Sequence, residues 1–179
     1  TVNISSPNTP GLRALQDKAA LDDLLAQVMA ARTHGTPVFL KVAPDLQPAD
    51  IDDIVTVAMS HGIAALIISN TTIARPALAS RYAGETGGLS GAPLRDMAQQ
   101  RLVDFRKASG GQIGLIGVGG IASAQDAYAR IRAGASLVQI YSALVYQGPG
   151  LARRINKELQ QLLQADGFVN ISDAVGVDG

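Results

Sequence analysis

Five short apolar runs alternate with helical periods from one end of the 179-residue chain to the other, and no other feature narrows the fold as much. Val2-Asn3-Ile4-Ser5 forms the first run. Leu21, Leu24, Leu25 and Val28 then fall at i, i+3, i+4 and i+7, one face of a helix over residues 17–32, which His34-Gly35-Thr36-Pro37 ends. Residues 38–43 are a second strand, apolar except for Lys41. Pro48 opens a second helix with Ile51, Ile54, Val55 and Ala58 facing inward, and His61-Gly62 closes it. Residues 64–69 form a third strand, followed by a Gly-, Ala- and Arg-containing loop to about residue 92. Pro93 opens a helix with Met97, Ala98, Leu102 and Phe105 inward, ended by Gly110-Gly111. Residues 113–118 are a fourth strand. Ser123 with Asp126 has the pattern of a capping box for a short helix to Ala133, with Gly134 just past its end. Residues 137–141 are a fifth strand, and Leu151, Ile155, Leu159, Leu162 and Leu163 line a last amphipathic helix.

Near-continuous apolar strands joined through helices predict a parallel sheet with helices outside it. Two α/β architectures satisfy that pattern, a doubly wound sheet and a (β/α)₈ barrel. A complete barrel takes about 250 residues, so length alone points to a single five-stranded doubly wound domain. No apolar run approaches the roughly 20 residues of a membrane span. Zero Cys excludes disulfides, thiolate metal sites and a cysteine nucleophile, and two His with no Cys argue against a structural zinc, so no metal is expected. Fifteen Lys and Arg against fifteen Asp and Glu argue against a nucleic-acid surface. His34 and His61 each precede a glycine at a helix end, where an imidazole meets the last carbonyls.

The residues suited to chemistry gather where the strands end. In a parallel α/β fold that edge is where ligands bind. The first strand runs into Ser6-Pro7-Asn8-Thr9-Pro10-Gly11, a set that also favours turns. Lys41 lies inside an apolar strand, where a charge is costly unless paired or used, and there it is placed to neutralise an anion. Asn70 and Thr71 offer uncharged donors and acceptors at the end of the third strand. Gly117-Val118-Gly119-Gly120 permits close backbone approach to an oxyanion, and Tyr141-Ser142 lies one β/α unit later. Two consecutive turns of this kind form the usual barrel phosphate cradle, which favours the barrel over the doubly wound sheet. The spacing is not that of a dinucleotide-binding Gly-x-Gly-x-x-Gly.

Six segments together identify a family resemblance. Asn3-Ile4-Ser5-Ser6-Pro7-Asn8-Thr9-Pro10-Gly11-Leu12-Arg13, Lys41-Val42-Ala43-Pro44-Asp45-Leu46, Ser69-Asn70-Thr71-Thr72, Glu85-Thr86-Gly87-Gly88-Leu89-Ser90-Gly91, Gly117-Val118-Gly119-Gly120 and Ala133-Gly134-Ala135-Ser136-Leu137-Val138-Gln139 resemble dihydroorotate dehydrogenase, more narrowly its quinone-linked class 2. The resemblance runs in order along essentially the whole chain. It implies an FMN-dependent (β/α)₈ TIM barrel, of which residues 1–179 supply roughly strands 4–8 and their helices. It places the first barrel strands and an N-terminal quinone-binding extension outside this chain. The opening Thr1-Val2-Asn3, without Met, fits a piece that starts within a strand.

The implied activity is oxidation of (S)-dihydroorotate to orotate in pyrimidine biosynthesis, with hydride passing to FMN and electrons onward to a quinone. Ser6 matches the catalytic base. Thr9 is the candidate relay for its proton, since a hydroxyl is a poor base at neutral pH. The resemblance assigns substrate contacts to Asn3, Ser6, Asn8, Asn70 and Thr71. It assigns flavin contacts to Asn3, Lys41, Ser69 and Gly91, with Lys41 beside the flavin where negative charge develops. Gly119, Gly120, Tyr141 and Ser142 match the phosphate cradle. The absence of Cys separates this chain from the soluble class 1 enzymes, whose equivalent base is Cys. A membrane surface is implied as a partner through the missing extension. The matching location is the cytoplasmic side of a bacterial inner membrane, ahead of the mitochondrial inner membrane.

Overall fold

In the computed structural model, which describes residues 1–179, every apolar run becomes a parallel strand. The strands are β1 (Val2–Asn3), β2 (Phe39–Val42), β3 (Ala65–Ile68), β4 (Gly114–Val118) and β5 (Leu137–Gln139). They pair in chain order, β1-β2-β3-β4-β5, without a reversal. Parallel crossovers are right-handed, so an unreversed order places every intervening helix on the same face. A doubly wound sheet needs a point where the order turns back. None exists here, so the length-based expectation of a doubly wound sheet gives way to an arc of a (β/α)₈ barrel.

The two faces of the arc differ in what they carry. Leu40, Val42, Leu66, Ile68 and Leu115 pack outward against Leu21, Leu25, Ile54, Ala58, Leu102 and Phe105 of the helices, in one core. The opposite face carries Ala65, Ile67 and Ile116, with Phe39 and Val118 against them. Register joins Asn3, Lys41, Ile67, Ile116 and Leu137 into a row across all five strands on that inner face. Lys41 therefore points inward because side chains alternate along a strand and its neighbours Leu40 and Val42 point to the helices.

The helices are α1 (Lys18–Ala31), α2 (Pro48–Ser60), α3 (Arg95–Ser109), α4 (Ala124–Arg132), α5 (Ser142–Gln147) and α6 (Leu151–Ala165). Asp17 caps α1 by accepting from the N–H groups of Ala19 and Ala20. Gln47 and Asp50 form a reciprocal capping box around Pro48. α3 starts two residues after Pro93, because Ala92–Leu94 make a 3-10 turn first. Ser123 caps α4 at the Asp126 N–H, but the Asp126 carboxylate accepts from Ala122 N–H rather than from the cap residue. The short α5 buries none of its six residues and so carries no apolar stripe by which the sequence could mark it. α4 and α6 enclose a second core of Ala127, Ile131, Leu151, Ile155 and Leu159. β1 and β5 each pair with one neighbour, and Leu137, Tyr141, Val145 and Tyr146 on and beyond β5 are exposed. No helix is long and apolar enough to cross a membrane.

Candidate functional site

A cleft of about 390 Å³ opens at the C-terminal ends of β2 to β5. Lys41, Ser69, Asn70 and Thr71 line it together with Gly91, Gly119, Gly120, Tyr141 and Ser142. Nine of the anticipated site residues thus share one wall-to-wall cavity, although they come from four separate strand ends. No group of three or more His, Asp or Glu side chains converges to hold a metal ion.

The polar corner of the site is built on asparagine. The Asn3 Oδ1 accepts from the Ser5 hydroxyl at 2.7 Å and from the Asn70 amide at 3.3 Å. That amide also donates to the Ser5 Oγ at 3.0 Å, and the Asn70 Oδ1 accepts from Thr71 N–H at 2.8 Å. The side chains at the ends of β1 and β3 are therefore locked in orientation before any ligand arrives. Ser5, fully buried at the centre of this corner, is a residue that sequence reasoning passed over. The period-two alternation of a strand was the available signal, since it sets Ser5 on the face of Asn3.

Ser6 is half-buried, and its hydroxyl oxygen accepts from Asn8 N–H at 3.3 Å. Asn8 and Thr9 are exposed. The Ser6 bond goes to Asn8, and the structure does not join Thr9 to Ser6. Ser6, Asn8 and Thr9, on the loop that follows β1, and Asn3 at the end of that strand lie beside the cleft rather than in its wall.

Two arginines tie the strand-end loops together. The Arg13 guanidinium donates to the Ser5 carbonyl at 3.1 Å, the Asp45 carboxylate at 2.9 Å and the Thr71 carbonyl at 3.1 Å. Asp45 also accepts from the Thr72 hydroxyl and from Ile73 N–H. This pair fixes the loops after β1, β2 and β3 relative to one another. Arg75 holds the next loop shut: it donates to the carbonyls of Thr72, Ile73 and Ala74 on one arm, and to Glu85 at 2.9 Å and Gly87 at 2.6 Å on the other. A Thr72–Leu89 bridge closes the base of the same loop. Beside that bridge, Gly88 packs so closely on the start of its own loop and on the loop after β1 that a Cβ there would collide with the Thr71 Oγ1 and sit 3.1 Å from the Pro7 Cγ. Only glycine permits that approach.

Lys41 takes part in none of the chain's ion pairs. Burial lowers its pKa below the usual lysine value, with no carboxylate to oppose the shift. In the same cleft, Gly119 and Gly120 adopt φ of 113° and 73°, a region that side chains disfavour. The backbone N–H groups of Gly119, Gly120 and Tyr141 donate to no acceptor in the chain. Unpaired N–H groups around a concave, glycine-lined turn suit an anionic oxygen-bearing group. The Ser142 hydroxyl donates to the Ser90 hydroxyl at 3.1 Å, closing the rim near Gly91. Ser69 is buried, with its hydroxyl donating to the Asn70 carbonyl.

An arc of sequentially paired parallel strands with its ligand cleft at their C-terminal ends defines a (β/α)₈-barrel protein of the strand-end-site class. The family model described as dihydroorotate dehydrogenase matches residues 1–163, and the chain belongs to the dihydroorotate dehydrogenase family. A relative from Sphingopyxis alaskensis named dihydroorotate dehydrogenase (quinone) is 67% identical over 98% of this chain and 50% of its own length. One of the same name from Novosphingobium aromaticivorans is 66% identical, over 98% of this chain and 51% of its own. Among solved structures, DHODH from Eimeria tenella in complex with ferulenol superposes with a TM-score of 0.92 at 39% identity, covering 98% of this chain and 53% of that one. The chain spans about half the length of the curated relatives it matches.

Proposed function

We propose that the polypeptide containing this chain is a quinone-linked dihydroorotate dehydrogenase that oxidises dihydroorotate to orotate in pyrimidine biosynthesis. The observation that carries this reading is the cleft itself, lined by an unpaired Lys41, by a turn with free N–H groups and by Asn70, whose amide is oriented by Asn3 and Ser5 just outside the wall. An uncharged amide-rich corner matches the amide and carbonyl edges of a pyrimidine ring, which both donate and accept. Asn3, Asn8, Asn70 and Thr71 are assigned to that ring.

The residues also fit FMN. Gly119, Gly120, Tyr141 and Ser142 would hold its phosphate, and Asn3, Lys41, Ser69 and Gly91 its ring system. When bound, FMN supplies the acceptor for the hydride removed from substrate. Lys41 would offer a positive charge to the ring as it is reduced, and its freedom from ion pairs leaves that charge available. Ser6 takes the substrate proton. Its oxygen already accepts one hydrogen bond from Asn8 N–H, which favours the negative charge it must develop. As it takes the substrate proton, the Ser6 hydroxyl gives up its own, through water toward the exposed Thr9, which makes no direct hydrogen bond to it.

The rest of the polypeptide is proposed to supply the remaining barrel strands, against the free edges of β1 and β5, and the quinone-binding extension. That extension would bring the enzyme to the inner membrane, on its cytoplasmic side in a bacterium. Residues 1–179 are then the C-terminal part of one barrel domain. Dihydroorotate-dependent quinone reduction by the full-length protein tests the reading, alongside its flavin spectrum. Ser6→Ala is expected to lower turnover by roughly 10²–10⁴-fold with flavin content unchanged. Wild-type turnover in Ser6→Ala would remove Ser6 as the base, and absence of bound flavin in the full-length protein would remove the enzyme reading altogether.

A further inference from the structure

Arg130 projects from α4 to the underside of the Gly119–Gly120 turn, and it is 1% exposed. Its Nη2 donates to the Gly119 carbonyl at 2.8 Å and to the Arg95 carbonyl at 2.7 Å, and its Nη1 donates to the Gln99 Oε1. Every one of these acceptors is neutral. Its Nε has no partner at all. The nearby acid, Asp126, is engaged elsewhere, by Arg95 at 3.1 Å and by Ala122 N–H. Asp96, the other acid near enough to influence it, is exposed on the first turn of α3. Burial pushes the guanidinium down to about 10, so it remains a cation at neutral pH. Asp126 and Asp96 offset only part of the cost of burying this cation, since neither forms an ion pair with it and the neighbouring Arg95 cation opposes them.

The chain is shaped to keep the cation there. A Cβ on Gly117 would sit 3.2 Å from the Arg130 Cβ and 3.3 Å from its Cδ. The same turn is held by a second guanidinium, since Arg95 Nε donates to the Gly120 carbonyl at 3.1 Å. Within one planar peptide the C=O and the following N–H point in opposite directions. Drawing both carbonyls toward the helices therefore turns the Gly120 and Ile121 N–H groups the other way, and neither has an acceptor in the chain.

We infer that Arg130 is the buried counter-charge of the phosphate seated on the Gly119–Gly120 turn, aiming the turn's N–H groups and making the site prefer a phosphorylated flavin over its unphosphorylated form. The inference deepens, and rests on, the assignment of that turn to the FMN phosphate. The group it compensates is a phosphomonoester dianion. Arg130 touches the turn and not the ligand, so it acts as a positioning residue.

The test is titration of full-length apoprotein with FMN and with riboflavin, followed by quenching of flavin fluorescence. Wild type is expected to bind FMN more tightly than riboflavin. Arg130→Met keeps an unbranched side chain of similar length and removes the charge. It is expected to weaken FMN by about tenfold or more while riboflavin changes little. Equal weakening of both flavins would make Arg130 a purely structural residue and overturn the inference, as would an undiminished FMN preference. Wild type that binds the two flavins alike would instead overturn the phosphate site itself. Should Arg130→Met not fold, Arg130→Lys decides, since it keeps a cation below the turn. It is expected to retain the preference for FMN over riboflavin at neutral pH and to lose it as pH rises and the lysine deprotonates, whereas a preference that does not change with pH would overturn the inference.

Discussion

Asp45→Ala removes the one acceptor shared by three loops, and its cost can be worked from the contacts it breaks. The carboxylate accepts from the Arg13 guanidinium at 2.9 Å, from Ile73 N–H at 3.2 Å and from the Thr72 hydroxyl. The Arg13 and Asp45 side chains are 22% and 16% exposed, so the pair is neither surface nor interior. Breaking one side of a fully buried pair costs about 3–5 kcal/mol, and an exposed pair contributes about 1 kcal/mol or less. Arg13 retains its bonds to the Ser5 and Thr71 carbonyls, which places the loss of the pair at about 1–2 kcal/mol. The Thr72 hydroxyl, in a residue 1% exposed, loses its acceptor as well, for about 1 kcal/mol more. The sum is a destabilisation of about 2–3 kcal/mol. Equilibrium urea unfolding of the full-length protein reads it as a lower midpoint at unchanged slope. A double-mutant cycle with Arg13→Met is expected to show coupling of about 1–2 kcal/mol. Arg13 also joins the carbonyls of Ser5 and Thr71, so kcat/KM for dihydroorotate should fall by about tenfold as the loops lose their fixed separation. A variant within about 0.5 kcal/mol of wild type, or a cycle without coupling, would refute the hub.

Two further outcomes follow from the same cleft. Burial lowers the folded-state pKa of Lys41 below its ordinary 10.5, so the unfolded chain binds more protons in that window. Stability of the flavin-free protein is thus expected to rise as pH increases through the window, and Lys41→Met to flatten the rise in pH-dependent unfolding while slowing flavin reduction by dihydroorotate. Gly88→Ala sets a methyl group 1.9 Å from the Thr71 Oγ1. By displacing Thr71 it should raise KM for dihydroorotate by about tenfold or more and leave flavin binding intact, and an unchanged KM would count against Thr71 as a substrate contact.

Local chemistry was legible in the sequence. The apolar stripes of α1, α2 and α3, the Pro48 start and the strand-interior Lys41 each depend on neighbours within a turn or two. The strand-end polar residues were legible because ligand sites in parallel α/β folds lie at one edge. Ser5 was not, because its importance comes from Asn70, 65 residues away. Arg13 and Asp45 were visible only as members of matching segments. Their partners lie in three loops, the farthest 58 residues from Arg13. Arg130 sits in an amphipathic helix where arginine ordinarily faces water, and its burial follows from the glycine turn it supports.

The amino-acid sequence by itself determined the alternation of strands and helices and the end of the sheet where chemistry gathers, because periodicity and strand polarity are local properties of a chain. Only the tertiary structure decided between a doubly wound sheet and a barrel arc. The two share the same local pattern and differ in which strand pairs with which, a choice settled by long-range hydrogen bonding and by all the apolar helix faces covering one side of the sheet. The same long-range closure turned scattered arginines into the supports of the site.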